Sequence, residues 1–144
     1  MKKLSIYITE KLKIRKISYN YFPKSKEELK ELLKQLIEER GNEGDFNDIN
    51  TSEITDMSEL FKDMDKFNGN ISKWDVSNVT DMNSMFTGCN TFNQPLNDWD
   101  VSNVKTFSHM FADCYSLKNV DFSKWETWSV ESFDAFLNDC RSIV

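Results

Sequence analysis

Residue types that build catalytic and metal sites are scarce in this 144-residue chain. It has one histidine, which cannot complete a zinc site with the three cysteines, because these recur in a separate apolar position. No serine–histidine–aspartate spacing, phosphate-binding glycine loop or dinucleotide fingerprint is present. Recurring Asp and Glu residues could bind calcium, but we interpret them as cap and turn residues. The sequence therefore predicts no catalytic residue, no cofactor and no bound metal, and we expect a protein that is not an enzyme.

Long apolar runs, an export signal and paired cysteines are also missing. The chain opens on basic residues, but Glu10 and Lys11 interrupt the apolar stretch that follows, which is too short for a signal peptide or a membrane span. An odd number of cysteines speaks against a disulfide framework and favours a reducing compartment. We therefore expect a cytoplasmic protein. With only four glycines and two prolines, the composition is that of a folded chain.

Charge is divided unevenly along the chain. Residues 1–44 carry 11 Lys and Arg against 7 Asp and Glu, a net charge of 11 − 7 = +4. Residues 45–144 carry 7 against 17, a net charge of 7 − 17 = −10. An acidic region does not favour binding to a phosphate backbone, so we expect no direct contact with nucleic acid. It could instead bind a basic protein surface, or the acids could serve only solubility.

A literal repeat dominates the chain from residue 49 onward. The sequence Trp-Asp-Val-Ser-Asn-Val at residues 74–79 returns at residues 99–104, a period of 99 − 74 = 25 residues. Related copies begin at Ile49 and, after one extra residue, at Trp125. Residues one period apart are called a column below. The apolar columns are Ile49, Trp74, Trp99 and Trp125; Ile54, Val79, Val104 and Val130; Met57, Met82, Phe107 and Phe133; Leu60, Met85, Met110 and Phe136; Phe61, Phe86, Phe111 and Leu137; Met64, Cys89, Cys114 and Cys140; and Phe67, Phe92, Leu117 and Ile143.

Apolar spacing inside a copy predicts a short helix. Five apolar residues of the second copy fall at i, i+3, i+6, i+7 and i+10, which matches the inward face of a helix. Thr80 or Asp81 would cap its first turn. Residues 92–96, which include Pro95, are predicted to form a brief strand. The five apolar residues are Val79, Met82, Met85, Phe86 and Cys89.

The repeat resembles a known family. The pattern Trp-Asp-Val-Ser-Asn-Val-Thr-Asp-Met-x-x-Met-Phe-x-x-Cys-x-x-Phe-Asn, complete in residues 74–93, is similar to the bacterial BspA-like repeats of the leucine-rich-repeat class. The resemblance covers about residues 45–144, weakens at Lys105 to Phe107 and is weakest in the fourth copy, where Trp128 replaces a serine. It implies an α/β repeat fold: a right-handed leucine-rich-repeat-like solenoid of about four 25-residue coils, which binds other molecules and has no catalytic centre. Many relatives are secreted or surface proteins.

The region before the repeats is predicted to cap them. Ser25 followed by Glu28 forms a capping-box signature, an apolar stripe at helical spacing follows, and Gly41 ends the pattern, so we expect an amphipathic helix over about 25–40. Residues 4–17 suit either a short helix, which we favour, or strands. Because the open end of a solenoid exposes apolar side chains, we assign residues 1–44 to an N-terminal cap and residues 45–144 to the repeats.

The candidate partner-binding residues are those at which the copies differ on their outer surface. Aromatic and charged side chains on a rigid scaffold are typical of protein recognition. Ordinary solvated surface is the alternative for each of them. These residues are Asp63, Asp65, His109, Asp113, Tyr115, Trp128 and Asp139.

Three functions are compatible with the sequence. We expect a non-enzymatic intracellular module that binds another protein. A narrower alternative is a small acidic inhibitor, encoded by a phage or mobile element, of a basic, nucleic-acid-handling defence protein. The second alternative is a surface adhesin, which the resemblance favours and the missing export signal opposes. No membrane contact is expected, and an exposed solenoid end could also form a homodimer.

Overall fold

The computed structural model describes residues 18–118 and 120–140, and the short helix predicted within residues 4–17 lies outside them. Helix α1 spans Lys26–Arg40 and confirms the helix predicted over about 25–40. Its N-cap is Ser25, whose hydroxyl accepts a hydrogen bond from the Glu28 N–H at 3.1 Å. At the other end, Gly41 adopts a left-handed φ of 83° and its N–H donates to the Ile37 carbonyl at 2.8 Å.

The predicted fold class is wrong. The described residues contain α1, five isolated parallel β-bridges and no sheet, so the repeat region is not an α/β leucine-rich solenoid. No copy contains the predicted short helix or the predicted strand near residues 92–96; the chain there is made of turns and irregular segments. Asp81, predicted to cap a helix, instead accepts a hydrogen bond from the N–H of Asn83 at 2.8 Å, which closes a local turn.

Left-handed residues explain why no helix forms in the copies. Each copy contains two residues, four positions apart, whose φ is positive, whereas an α-helix needs φ near −63°. For any residue other than glycine this conformation costs roughly 1–2 kcal/mol, so it persists only where neighbouring contacts impose it. The pairs are Glu59 (59°) and Asp63 (62°), Ser84 (56°) and Gly88 (76°), His109 (59°) and Asp113 (60°), and Ala135 (52°) and Asp139 (57°).

The copies lie side by side and are joined by backbone hydrogen bonds. We call residues 49–73, 74–98, 99–124 and 125–140 copies 1 to 4, and together the repeat array. In each of copies 1 to 3, four alternate N–H groups donate to carbonyls of the following copy, at 2.7–3.1 Å. Other N–H groups of the same segments donate to the carbonyl three residues earlier, as from Leu60 to Met57 at 3.3 Å and from Met64 to Phe61 at 3.0 Å. The donors to the next copy are Met57, Glu59, Phe61 and Asp63; Met82, Ser84, Phe86 and Gly88; and Phe107, His109, Phe111 and Asp113.

Aromatic side chains fill the interior of the repeat array. Phe61 stacks on Phe86, and Phe86 on Phe111, with ring centroids 5.3 and 5.4 Å apart. The three rings are fully buried. Because these rings stack on the equivalent ring of the neighbouring copy, one copy alone could not bury its apolar side.

Tryptophan and cysteine columns add hydrogen bonds between copies. Each buried indole N–H donates to a backbone carbonyl 28 or 29 residues earlier in the chain. Each thiol likewise lies within hydrogen-bonding distance of a backbone carbonyl 28 or 29 residues earlier. These bonds satisfy polar atoms in an otherwise apolar interior. Trp74, Trp99 and Trp125 donate to Phe46, Ile71 and Leu96 at 2.9, 3.1 and 3.0 Å, and Cys89, Cys114 and Cys140 to Phe61, Phe86 and Phe111 at 2.9, 3.0 and 2.7 Å.

Helix α1 covers the first copy. Leu29, Leu33 and Leu36 are buried and belong to the same apolar core as the repeats. The Arg40 guanidinium donates two hydrogen bonds to the Asp48 carboxylate, at 2.7 and 3.0 Å. In the described part of the chain, no helix is both long enough and apolar enough to cross a membrane.

Candidate partner-binding surface

Three of the candidate aspartates share one column of left-handed residues. Asp63, Asp113 and Asp139 occupy the second left-handed position of copies 1, 3 and 4, and Gly88 occupies it in copy 2. Aspartate tolerates this conformation better than most residues, so the backbone accounts in part for the residue type. A Cβ on Gly88 would lie 2.6 Å from an Asp63 carboxylate oxygen, so copy 2 has no room for a further side chain here. No group of three potential metal ligands occurs within residues 18–118 and 120–140.

His109 takes the first left-handed position of copy 3. Its column also contains Glu59, Ser84 and Ala135, and its side chain is exposed. Its N–H donates to the Asp134 carbonyl at 2.8 Å, and its own carbonyl accepts a short hydrogen bond from the Thr87 hydroxyl. The backbone of His109 therefore links three copies, and its imidazole is free to contact solvent.

The candidate residues fall into separate groups. The Tyr115 hydroxyl lies 3.4 Å from a carboxylate oxygen of Asp113, and the N–H of Asp113 donates to Asn138, next to Asp139. Asp63 and Asp65 are exposed on copy 1, and copy 2 separates them from this group. The structure therefore brings together Asp113, Tyr115 and Asp139, and leaves Asp63 and Asp65 apart.

Trp128 lies in a different column from the other candidates. It occupies the position of Ser77 and Ser102, whose hydroxyls donate to Asp75 and Asp100 at 2.6 Å. An indole cannot close that turn in the same way, and 73% of the Trp128 side chain is exposed. Among the described contacts, no hydrogen bond or ring contact joins it to another candidate residue.

Two further apolar residues, which the sequence did not single out, are exposed on copy 4. Phe133 is 47% exposed and Leu137 is 36% exposed, although the other members of their columns are completely buried. Trp128 is a third exposed apolar residue of the same copy. We define the C-terminal edge as these three side chains together with the backbone of residues 133–139.

The C-terminal edge is acidic as well as apolar. Residues 125–140 contain four acidic residues and no Lys or Arg, and all four acids are exposed. Exposed charges of one sign attract a partner of the opposite sign over about 8–10 Å at physiological salt. The four residues are Glu126, Glu131, Asp134 and Asp139.

The cysteines have structural positions. All three are free and buried. Burial raises the pKa of the Cys114 thiol to about 12 and also raises the pKa of Cys89 and of Cys140. A protonated, buried thiol is a poor nucleophile and a poor metal ligand, so these residues serve packing.

Comparison with known proteins identifies a family without assigning an activity. No curated protein and no solved structure matches the chain significantly. The model of one family matches residues 28–144, which include most of α1 and all of the repeat array. The chain therefore belongs to the family described as "Mycoplasma protein of unknown function, DUF285".

Proposed function

We propose that this chain is a non-enzymatic module that binds another protein through its C-terminal edge. The observation that carries the proposal is the exposure of three large apolar residues of copy 4, Trp128, Phe133 and Leu137. Large apolar side chains that cluster on the surface and are rimmed by charge are typical of protein interfaces. The relationship to BspA-like repeats, based on the motif of residues 74–93, is part of this proposal.

Charge supports a partner with a basic surface. Copy 4 has exposed acids as well as exposed apolar side chains, and Glu131 and Asp134 lie within two residues of Phe133 in the sequence. Complementary charge would accelerate association and make it sensitive to salt. An inhibitor of a basic, nucleic-acid-handling protein is a narrower form of the same proposal. Three buried free thiols favour a reducing compartment as the place where this binding occurs.

A capture experiment with matched variants tests the proposal. The tagged chain is incubated with lysate of its source organism at about 0.05 and 0.5 M salt, and each retained protein is purified and mixed with the chain again. Trp128→Ala removes the most exposed side chain of the edge. Phe22→Ala is the control, because Phe22 is also an exposed aromatic residue, 62% exposed, but lies at the other end of the repeat array. Its neighbour Tyr21 forms a β-bridge with Ile49 of copy 1.

We expect a stoichiometric partner whose binding is weakened by Trp128→Ala and by salt, and retained by Phe22→Ala. Loss of one anchor aromatic typically weakens a protein interface by about 30-fold or more. A partner that binds Trp128→Ala as tightly as the native chain would contradict the assignment of the C-terminal edge. The absence of any partner that binds again after purification would contradict the function itself.

A further inference from the structure

The chain contains a single Asn–Gly pair, Asn68–Gly69, in copy 1. An asparagine loses ammonia most readily before glycine, because glycine has no side chain to hinder attack by its backbone nitrogen on the neighbouring amide. The attack joins the Gly69 nitrogen to Asn68 Cγ, breaks the Cγ–Nδ2 bond and passes the proton to the departing ammonia. Water then opens the resulting succinimide ring to give either aspartate or isoaspartate.

Packing explains why position 69 is a glycine. Gly69 is buried, and a Cβ on it would lie 2.5 Å from the ring of Phe46 and 2.8 Å from the ring of Phe67. Both rings are completely buried in the core, where close packing leaves them little room to move aside. No residue with a side chain fits between them, so the core requires glycine after Asn68.

Hydrogen bonding explains why position 68 is an asparagine. The side-chain oxygen of Asn68 accepts a hydrogen bond from the Asn93 N–H at 2.9 Å, and the Gln94 side chain donates to the Asn68 carbonyl at 3.0 Å. Asn93 has the same role one copy later, where its side-chain oxygen accepts from the Lys118 N–H at 2.7 Å. The fold therefore selects the two residues for separate reasons, and together they form the reactive pair.

The contacts of Asn68 also oppose the reaction while the chain is folded. The N–H of Asn68 donates to the Asn42 carbonyl at 2.8 Å. Two residues later, the N–H of Asn70 donates to the Gly44 carbonyl at 2.9 Å. Closing the succinimide ring needs rotations of the Asn68 main chain and side chain, and the hydrogen bonds of both hold them in place. The ring can therefore close only when this segment separates from residues 42–46 and from copy 2.

The two products differ in whether they fit the native contacts. Isoaspartate adds one carbon to the main chain between the N–H groups of Asn68 and Asn70, whose acceptors lie on a segment of unchanged length. The added carbon also displaces Gly69 between the rings of Phe46 and Phe67, where not even a Cβ fits. Aspartate keeps the normal main chain and a side-chain oxygen that can accept from Asn93. Isoaspartate, but not aspartate, is thus incompatible with this part of the fold.

We propose that Asn68–Gly69 is a self-modification site that the fold controls. It is inert while copy 1 contacts residues 42–46 and copy 2, and it converts to isoaspartate when these contacts open. The modified segment cannot close again, so opening of this junction leaves a permanent covalent mark. The reaction consumes one water molecule, releases one ammonia molecule and needs no second protein.

Site-resolved mass spectrometry of the 144-residue chain tests the control by the fold. The chain is incubated at mildly alkaline pH with and without unfolding concentrations of urea. Asn93 is the internal control, because it has the equivalent position in copy 2 but precedes Gln94. We expect Asn68 to react about tenfold or more slowly in the folded chain than in urea, and Asn93 to react far less than Asn68 in urea. Equal rates at Asn68 in the two conditions would overturn the inference.

Two core substitutions locate the opening that exposes the site. Phe46→Ala removes the ring nearest Gly69, and Phe107→Ala removes an equally buried ring of copy 3. Without urea, we expect Phe46→Ala to accelerate the reaction of Asn68 more than Phe107→Ala does. Equal acceleration would show that only global unfolding exposes the site and would overturn the assignment to this junction. Phe46→Leu, which keeps most of the apolar volume, replaces Phe46→Ala if that variant does not fold.

Refolding of the products tests the consequence. The aspartate and isoaspartate forms made in urea are separated by chromatography and returned to buffer, and Asn68→Asp is the matched variant with an unmodified main chain. Amide hydrogen exchange by NMR then reports on the N–H groups of residues 68 and 70. We expect the aspartate form and Asn68→Asp to protect both groups and the isoaspartate form to lose this protection. An isoaspartate form with native protection would overturn the inference.

Discussion

The two ends of the repeat array differ in how well their apolar side chains are buried. Before copy 1 lies α1, and Met57 and Phe61 are completely buried. On copy 4, the residues of the same two columns, Phe133 and Leu137, are 47% and 36% exposed. The columns and the class of side chain are the same, so the difference in burial comes from the neighbours. Each copy therefore depends for its core on the element beside it, as expected for repeat proteins.

Polar contacts differ between the ends in the same way. On the α1 side, the paired hydrogen bonds between Arg40 and Asp48 are joined by a third, from Arg40 to the Asp45 carbonyl at 2.9 Å. On the copy 4 side, four backbone N–H groups have no acceptor among the described residues. One end is thus closed by specific contacts of the chain itself, whereas at the other end the described residues supply no acceptor for this row of N–H groups.

The largest expected effect compares two phenylalanines of one column. Phe107 is completely buried and Phe133 is 47% exposed, and their rings stack at 5.6 Å. Phe107→Ala should lower the free energy of unfolding by about 3–5 kcal/mol, because it leaves a cavity in the core. Phe133→Ala should cost about 1 kcal/mol, since half of its surface is already in water. Urea denaturation of both variants measures the difference, and equal losses would contradict the unequal burial of the two ends.

The α1 side is tested by the leucine stripe. Leu33 is 2% exposed, whereas Leu32 on the neighbouring face is only partly buried. Leu33→Ala should lower the free energy of unfolding by about 2–4 kcal/mol, and Leu32→Ala by about 1 kcal/mol. Thermal unfolding followed by circular dichroism compares them. If the two substitutions had the same small effect, α1 would not be part of the core.

A pH-dependent effect is expected at Asp48. The hydrogen bond from Arg40 lowers the pKa of the Asp48 carboxyl below its ordinary value of 3.8. A lowered pKa in the folded state stabilises the fold above about pH 4, and this contribution disappears as pH falls through the folded pKa. Asp48→Asn should therefore cost about 1–2 kcal/mol at pH 7, with a difference from the native chain that shrinks below about pH 4.

The control for Asp48 is an exposed ion pair. Asp98 lies 3.3 Å from Lys124, with side chains 82% and 70% exposed. Asp98→Asn should leave the free energy of unfolding unchanged at either pH, because water screens such a pair. Unfolding curves at pH 7 and at about pH 3 distinguish the two variants. A pH-independent loss for Asp48→Asn would contradict the assigned role of its charge.

The smallest expected effect is a stabilisation of copy 4. Ala135 has a φ of 52° and no side-chain polar group that could compensate for it. Ala135→Gly should raise the free energy of unfolding by about 0.5–1 kcal/mol, because glycine adopts this conformation without strain. Ala112, which lies outside the left-handed positions and is 4% exposed, is the control: Ala112→Gly should destabilise. Destabilisation by both substitutions would mean that the φ of Ala135 does not strain the native chain.

Local signals allowed α1 to be predicted from sequence. Ser25, Glu28 and Gly41 act within one turn of the chain, and the leucine stripe needs only the helical period. The copies were misinterpreted because the spacing i, i+3, i+6 and i+7 also fits successive turns with hydrogen bonds between residues three apart. The left-handed residues decide between a helix and a series of turns. A glutamate such as Glu59 or a histidine such as His109 gives no sequence signal for a left-handed conformation. Gly88, in a column with three aspartates, was the available hint.

The candidate surface could be predicted only in part. Trp128 was identified because it breaks a column, and it is the most exposed large apolar residue described. Phe133 and Leu137 were missed because they fit their columns, and their exposure depends on what lies beside copy 4. Asp63 shares a column with Asp113 and Asp139, but the sequence pattern does not show that copy 2, with Gly88 at that position, separates it from them.

Hydrogen exchange of the unliganded chain tests most directly whether the C-terminal edge is open. The N–H groups of Met82, Ser84, Phe86 and Gly88 donate to copy 3, and those of the equivalent row in copy 4 have no described acceptor. We predict slow exchange at the four groups of copy 2 and fast exchange at Phe133, Ala135, Leu137 and Asp139, with the N–H groups of Phe136 and Asn138 slower than their neighbours. Equal protection of the two rows would contradict the account, because it would mean that the edge of copy 4 is already occupied.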